Sequence, residues 1–226
     1  MTRAGRRKFE DIRPPNGALV AQWREQAGSE IHVELPTSDA RSVVAWLSEN
    51  GCRLAAVFAE DRTATEGLFY VHYVFEHPED ARYLLARAPV APDRPVFASL
   101  SAEIPAVNWQ EREIQDWFGL VAEGHPNPRR VALHDYWPDV HPMRKDFAID
   151  TVLPPFEGER HLYRPTLGEG VFQIPVGPIH AGIIEPGHFS FSVAGEPILY
   201  LQLRMFYAHK GIEKRFEQLP VHRGVC

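Results

Sequence analysis

The sequence predicts an α+β protein: a helix-covered, mostly antiparallel sheet, then an extended proline-rich segment and a β-hairpin region. Three observations lead there. Between residues 31 and 101, short runs with the two-residue period of strands are interleaved with a stretch of 3.6-residue helical period. Ten of the 20 prolines fall between Pro126 and Pro186, which predicts a long irregular passage. Two further alternating runs flank a Gly195-Glu196-Pro197 turn.

Taken in order, Ile31, Val33 and Leu35 alternate as in a strand with one buried face, with a helix expected ahead of them. Thr37 or Ser38 can cap the next helix, where Ala40, Val43, Val44 and Leu47 follow the helical period; Asn50-Gly51 ends it in the left-handed manner. Residues 53–59 and 68–76 read as strands joined by the polar loop EDRTATEG, and Phe69, Val71, Tyr73 and Phe75 line one face of the second. Residues 82–88 and 96–101 are further strands. Helix, strand, helix and then sequential strands make a largely antiparallel sheet with helices on one face. No glycine-rich phosphate loop follows a strand, which disfavours a nucleotide fold.

Residues 107–119 read as a helix. Asn108 and Glu111 have capping-box spacing, and Val107, Ile114, Phe118 and Val121 recur at helical intervals. From Glu123 to about Pro175 there is no sustained period, and so long a passage is expected to wrap a partner or a neighbouring domain. Phe189, Phe191 and Val193 then alternate into the turn, and Leu199, Leu201, Leu203 and Met205 alternate out of it; helical residues resume near Gly211. The expected division is 1–122 for the α+β domain, 123–172 for the wrapping segment and 173–226 for the hairpin region.

Composition narrows the function. Of 226 residues 44% are apolar and 24% charged, an ordinary globular balance that excludes a wholly disordered chain. A net charge of −6 argues against nucleic acid as the partner of the whole protein. Two cysteines, Cys52 and Cys226, make neither a disulfide framework nor a set of iron–sulfur or zinc ligands, which points to a reducing compartment. The start, MTRAGRRKFEDIRPP, is basic without the apolar core of a secretory leader, and no window approaches the roughly 20 apolar residues of a membrane helix. A cytoplasmic protein is expected, held at a membrane only through partners.

Residues 111–119 concentrate charge beside Trp109, Trp117 and Phe118, with Arg112 and Asp116 four apart; they fit a solvated helix or an interface helix. His125, His134, Asp135 and His141 have no metal-site spacing. Arg129-Arg130 and Arg144-Lys145 give the proline-rich passage local positive charge. His180, Glu185, His188, His209 and Glu213 gather around the hairpin, where imidazoles titrating near neutrality can handle protons or stand as ordinary loop residues. No serine elbow or cysteine signature supports nucleophilic catalysis.

Glu111-Arg112-Glu113, Asp116-Trp117-Phe118-Gly119, Gly124-His125-Pro126, Arg129-Arg130 and His141-Pro142-Met143-Arg144-Lys145-Asp146-Phe147 together resemble the signature of the 30 kDa subunit of respiratory NADH dehydrogenase, complex I. Ala132 is smaller than the aliphatic residue expected there. Residues 174–182, then Glu185-Pro186-Gly187-His188-Phe189 and His209-Lys210-Gly211-Ile212-Glu213-Lys214, resemble the beginning of a membrane-bound [NiFe]-hydrogenase large subunit, related to the 49 kDa subunit of complex I; the formate hydrogenlyase type fuses both parts in this order.

The resemblance implies an α+β first part that braces the large subunit against partners, an iron–sulfur small subunit and a ferredoxin-like subunit. Glu111, Arg112, Asp116, Arg144 and Lys145 are the expected interface residues. It implies a loop from His180 to His188 facing the site where electrons reach quinone or protons, with Glu213 as a proton-handling candidate. Lys210 stands where arginine is usual, which removes the planar fork. Iron–sulfur clusters would lie in partner subunits and none in this chain. A [NiFe] centre requires four thiolates, so it is expected only if the chain continues beyond Cys226 into a C-x-x-C motif. Membrane association would be peripheral, on the cytoplasmic face. The alternative is a non-catalytic structural accessory of such a complex.

Overall fold

The computed structural model describes residues 21–26, 30–36, 40–158, 161–217 and 219–223, with 21–26 and 221 described by backbone alone. The chain divides into two compact units, residues 1–128 and 129–226. The proline-rich passage thus falls, from residue 129 on, in the same unit as the hairpin.

In the first unit, β1 (Ala21–Gln26), β2 (Glu30–Glu34), β3 (Arg53–Arg62), β4 (Leu68–His77) and β5 (Asp80–Val90) form a sheet in the order β1-β2-β5-β4-β3. All pairs are antiparallel except β2–β5. Where a helix was expected ahead of Ile31, the described residues form β1. The two-residue alternation sorts the side chains as expected: Ile31 and Val33, Leu84, Ala86 and Ala88, and Phe69, Val71, Tyr73 and Phe75 are all buried. Helix α1 (Ala40–Glu49) lays Ala40, Val43, Val44 and Leu47 into this core. Each large side chain so buried contributes about 1.5–3 kcal/mol. Gly51, at φ +86°, lets the chain turn back into β3. The Thr37 or Ser38 cap lies outside the described residues.

The polar loop between β3 and β4 contains a helical turn, α2 (Thr63–Glu66). Asp61 starts it by accepting from Thr63 N–H (2.8 Å) and Oγ1–H (2.6 Å). The strand expected at 96–101 is short. Only Val96–Ala98 pairs, as β6, and not with the main sheet but in parallel with β7 (Val121–Glu123), which places Val121 outside the preceding helix. That helix, α3, runs Asn108–Phe118 after a 3₁₀ turn at Pro105–Val107, and Gly119 closes it at φ +69°. Gln110 Oε1 accepts from Val57 N–H (3.1 Å), so α3 ties down edge strand β3.

The second unit contains β8 (Val171–Val176), β9 (His188–Ala194), β10 (Ile198–Arg204) and α4 (Ile212–Phe216). The hairpin is β9–β10, and β8 adds a third strand where irregular chain was expected. Pro175 hid it; proline is tolerated there because β8 is an edge strand. One face of this sheet is apolar, with the rows Ile174–Phe191–Leu201 and Val176–Phe189–Leu203. The other carries Gln173, Ser190, Ser192 and Gln202. Burial is inverted relative to hydrophobicity. Ser190 and Ser192 are buried, while Leu201 and Leu203 are 40% and 50% exposed.

The inversion comes from the proline-rich passage, which crosses the polar face. Arg164 N–H donates to Gln202 Oε1 (2.8 Å), and Gln202 Nε2 donates back to Arg164 O (3.0 Å). This extended segment satisfies the amide of Gln202, while the buried Ser192 hydroxyl on the same face has no hydrogen-bond partner among the described residues.

Candidate functional site

Helix α3 carries the charged signature, and its first carboxylate points inward. Glu111 is fully buried. Its Oε2 accepts from Ser99 Oγ (2.6 Å) and Ser101 Oγ, and its Oε1 from Leu100 N–H (2.6 Å). His125 lies beside it, Nε2 to Oε2 3.8 Å. The His125 Nδ1 accepts from Asn127 N–H (2.9 Å), which leaves the ring proton on Nε2, facing Asn108 O at 3.2 Å.

Two expectations change here. Glu111 forms no capping box with Asn108, because the 3₁₀ turn makes Val107 the helical N-cap residue, with no side-chain cap. Nor does Glu111 reach a surface where a partner could meet it; its hydrogen bonds fix the segment after β6 to α3. Asp116 is also buried. Arg112 is half-buried, its guanidinium 5.4 Å from the centre of the exposed Trp109 ring. The thiol of buried Cys52 is pushed up to about 11 by desolvation, so it stays protonated at neutral pH.

In the second unit, Lys214 on α4 is buried and donates to Arg144 O (2.8 Å), and its Nζ lies 3.1 Å from Glu217 Oε2. Lys145 Nζ is 3.0 Å from the other oxygen of Glu217. The expected interface pair Arg144-Lys145 is thereby fastened to the end of α4. Glu213 is half exposed, its Oε2 4.0 Å from His209 Nδ1. Burial holds the imidazole of His209 below its ordinary range, as it does for His134 and His161.

His180 and His188 belong to one loop but are held separately. His180 Nε2 lies 2.8 Å from Gly187 O. Gly177, at φ +80°, leaves no room for a side chain: a Cβ there would fall 2.2 Å from Gly187 O and 2.8 Å from the His180 ring. The loop is thus closed on the His180 imidazole. Its outer residues Ile179 and Ile183 are exposed. His188 enters the polar face of the sheet, where Tyr163 Oη is 2.7 Å from its Nδ1.

Sequence reasoning missed Ser99, Ser101 and Tyr163 as members of these sites. The S-L-S spacing two residues apart, ahead of a carboxylate-bearing helix, was the one usable signal. Among the described residues, no three His, Cys, Asp or Glu side chains assemble into a metal-holding group. The cysteines of the chain number two, so the thiolate set of a [NiFe] centre does not fit the residues present.

The fold and these sites define an α+β module whose signature helix is pinned by a buried carboxylate, joined to a sheet unit with a histidine-closed loop. Residues 33–152 match the family described as "Respiratory-chain NADH dehydrogenase, 30 Kd subunit". The chain belongs to that family. It is 38% identical to hydrogenase-4 component G of Escherichia coli K12 over 89% of this chain and 37% of that protein. With formate hydrogenlyase subunit 5 of the same organism the identity is 33%, over 90% of this chain and 36% of that one. The chain therefore spans just over a third of the length of these relatives. Its fold resembles a chain of the membrane-bound sulfane sulfur reductase, an archaeal respiratory membrane complex, with a TM-score of 0.50 at 17% identity, over 66% of this chain and 92% of that one.

Proposed function

We propose that this chain forms the bracing and acceptor-side part of a large subunit in a membrane-associated oxidoreductase of the complex I and energy-converting hydrogenase kind. Electrons reach it from iron–sulfur clusters carried by an iron–sulfur small subunit and a ferredoxin-like subunit, and the chain binds no cluster itself. The first unit does no chemistry. Arg112, with Arg144 and Lys145, meets those partners, and Glu111 and Asp116 set the shape of the surface from within. The loop from His180 to His188 borders the junction where electrons leave for quinone or protons, and Glu213 handles protons nearby. Attachment to the cytoplasmic face of the membrane is through partners; among the described residues no helix is long and apolar enough to cross it.

The observation that carries this reading is the construction of the loop. A glycine with no space for a side chain, a histidine clamped on a backbone carbonyl and a second histidine held by a phenol form a built feature, on a chain whose relatives are named as hydrogenase and formate hydrogenlyase components. The test is His180→Ala and His188→Ala, each in the assembled complex. Turnover is expected to fall at least about tenfold with the complex still assembled. Unchanged turnover in both would refute the acceptor-side role and favour a structural accessory.

A further inference from the structure

The acceptor-side reading gives a role to His180 and His188 and none to the proline-rich strip that crosses the sheet. Beside the Arg164–Gln202 pair, that strip makes a second contact with the sheet. Tyr163 Oη lies 2.7 Å from His188 Nδ1, with the rings 5.1 Å apart. The Tyr163 ring stands edge-on to His161, 4.9 Å between centres. His161 lies against the guanidinium of Arg204, whose Nε is 3.4 Å from Asp135 Oδ2. Arg204 is also the cross-strand partner of His188. The phenol is thus fixed from behind by an aromatic edge, and that edge by an ion pair.

The Tyr163 hydroxyl can donate to a bare Nδ1 or accept from an Nδ1–H, and only the tautomer of His188 distinguishes the two. Burial raises the Tyr163 phenol above its ordinary value, so it keeps its proton and is available as donor. A phenol donating to Nδ1 requires that nitrogen to be bare. The remaining proton of the neutral imidazole then sits on Nε2. His180 has the opposite arrangement: a carbonyl can only accept, so Nε2 must donate to Gly187 O, and its Nδ1 is the free nitrogen.

We propose, on the acceptor-side reading above, that Tyr163 is a positioning residue for His188, fixing its ring in the Nε2–H tautomer so that the loop offers one imidazole donor and one imidazole acceptor. Tyr163 itself touches no acceptor. His161 and Arg204 act one step further back, holding the phenol in line.

The experiment is a long-range ¹H–¹⁵N spectrum of the full chain labelled at histidine, at about pH 8, above the imidazole range. The His188 signals are identified by their loss in His188→Gln. In the unsubstituted chain His188 is expected to show a bare Nδ1 and a protonated Nε2. Tyr163→Phe keeps the ring against His161 and removes only the hydroxyl. It is expected to move the His188 shifts toward a mixture of tautomers while those of His180 stay in place. A protonated Nδ1 in the unsubstituted chain, or an unmoved His188 in Tyr163→Phe, overturns the proposal, and the first of these needs no variant to fold. In the assembled complex Tyr163→Phe should lower turnover by about tenfold without loss of assembly. If the spectra come out as expected but His180→Ala and His188→Ala both leave turnover unchanged, the positioning stands and the acceptor-side reading falls.

Discussion

Glu111 is a carboxylate removed from water and given three hydrogen bonds in return. A buried charge is tolerated only when its lone pairs are filled, and here two serine hydroxyls and a backbone N–H fill them. The consequence is asymmetric. Glu111→Ala leaves three donors without an acceptor in a dry site and is expected to lower unfolding stability by about 2–4 kcal/mol, measured by denaturant titration of the full chain. Glu111→Gln keeps the shape and one carbonyl acceptor, and should lose about half as much. If the two substitutions cost the same, the carboxylate acts through its volume and not through its hydrogen bonds. The residue type and its place in the signature were legible in the sequence. That it faces inward was not, because its donors sit at Ser99 to Ser101, and only the short parallel pairing of β6 with β7 brings them to α3.

At the scale of elements, the loop between β8 and β9 depends on a single backbone position. Gly177 combines a left-handed φ with a neighbour, Gly187 O, too close for any side chain. Gly177→Ala is therefore expected to open the loop and release His180. The full chain should lose about 1–2 kcal/mol from the left-handed conformation alone, and more from the clash with backbone. Thermal melts together with the histidine ¹⁵N spectrum check this. An alanine variant with unchanged melting and an unshifted His180 would show that the loop is held elsewhere. Most of the strands and helices of the chain were predictable because each carries its own period. The third strand was not, since Pro175 reads as a breaker until an edge place in the sheet makes its missing N–H harmless.

At the scale of the whole molecule, the second unit exposes the apolar face of its sheet and covers the polar one. Phe172, Ile174, Leu201, Leu203 and Met205 are each at least 40% exposed. Continuous apolar surface of this kind associates in water. The isolated chain is expected to bind a hydrophobic dye such as ANS and to self-associate with rising concentration. Leu201→Gln with Leu203→Gln should reduce both without lowering the melting temperature, since neither side chain contributes to the core. A melting temperature that falls with the substitutions would place these leucines in the fold after all.

Periodicity along the chain identified most of the strands, the two long helices, the hairpin and the irregular passage, and the charged signature identified the family. Those properties belong to neighbours in sequence, where backbone geometry fixes which side chains share a face. The tertiary structure alone decided that Glu111 is interior, that β6 leaves the main sheet, that the serine face of β9 is the buried one, and that Tyr163 meets His188 across 25 residues. Each of those depends on contacts made between segments far apart in the chain once water is excluded, where no local period carries them.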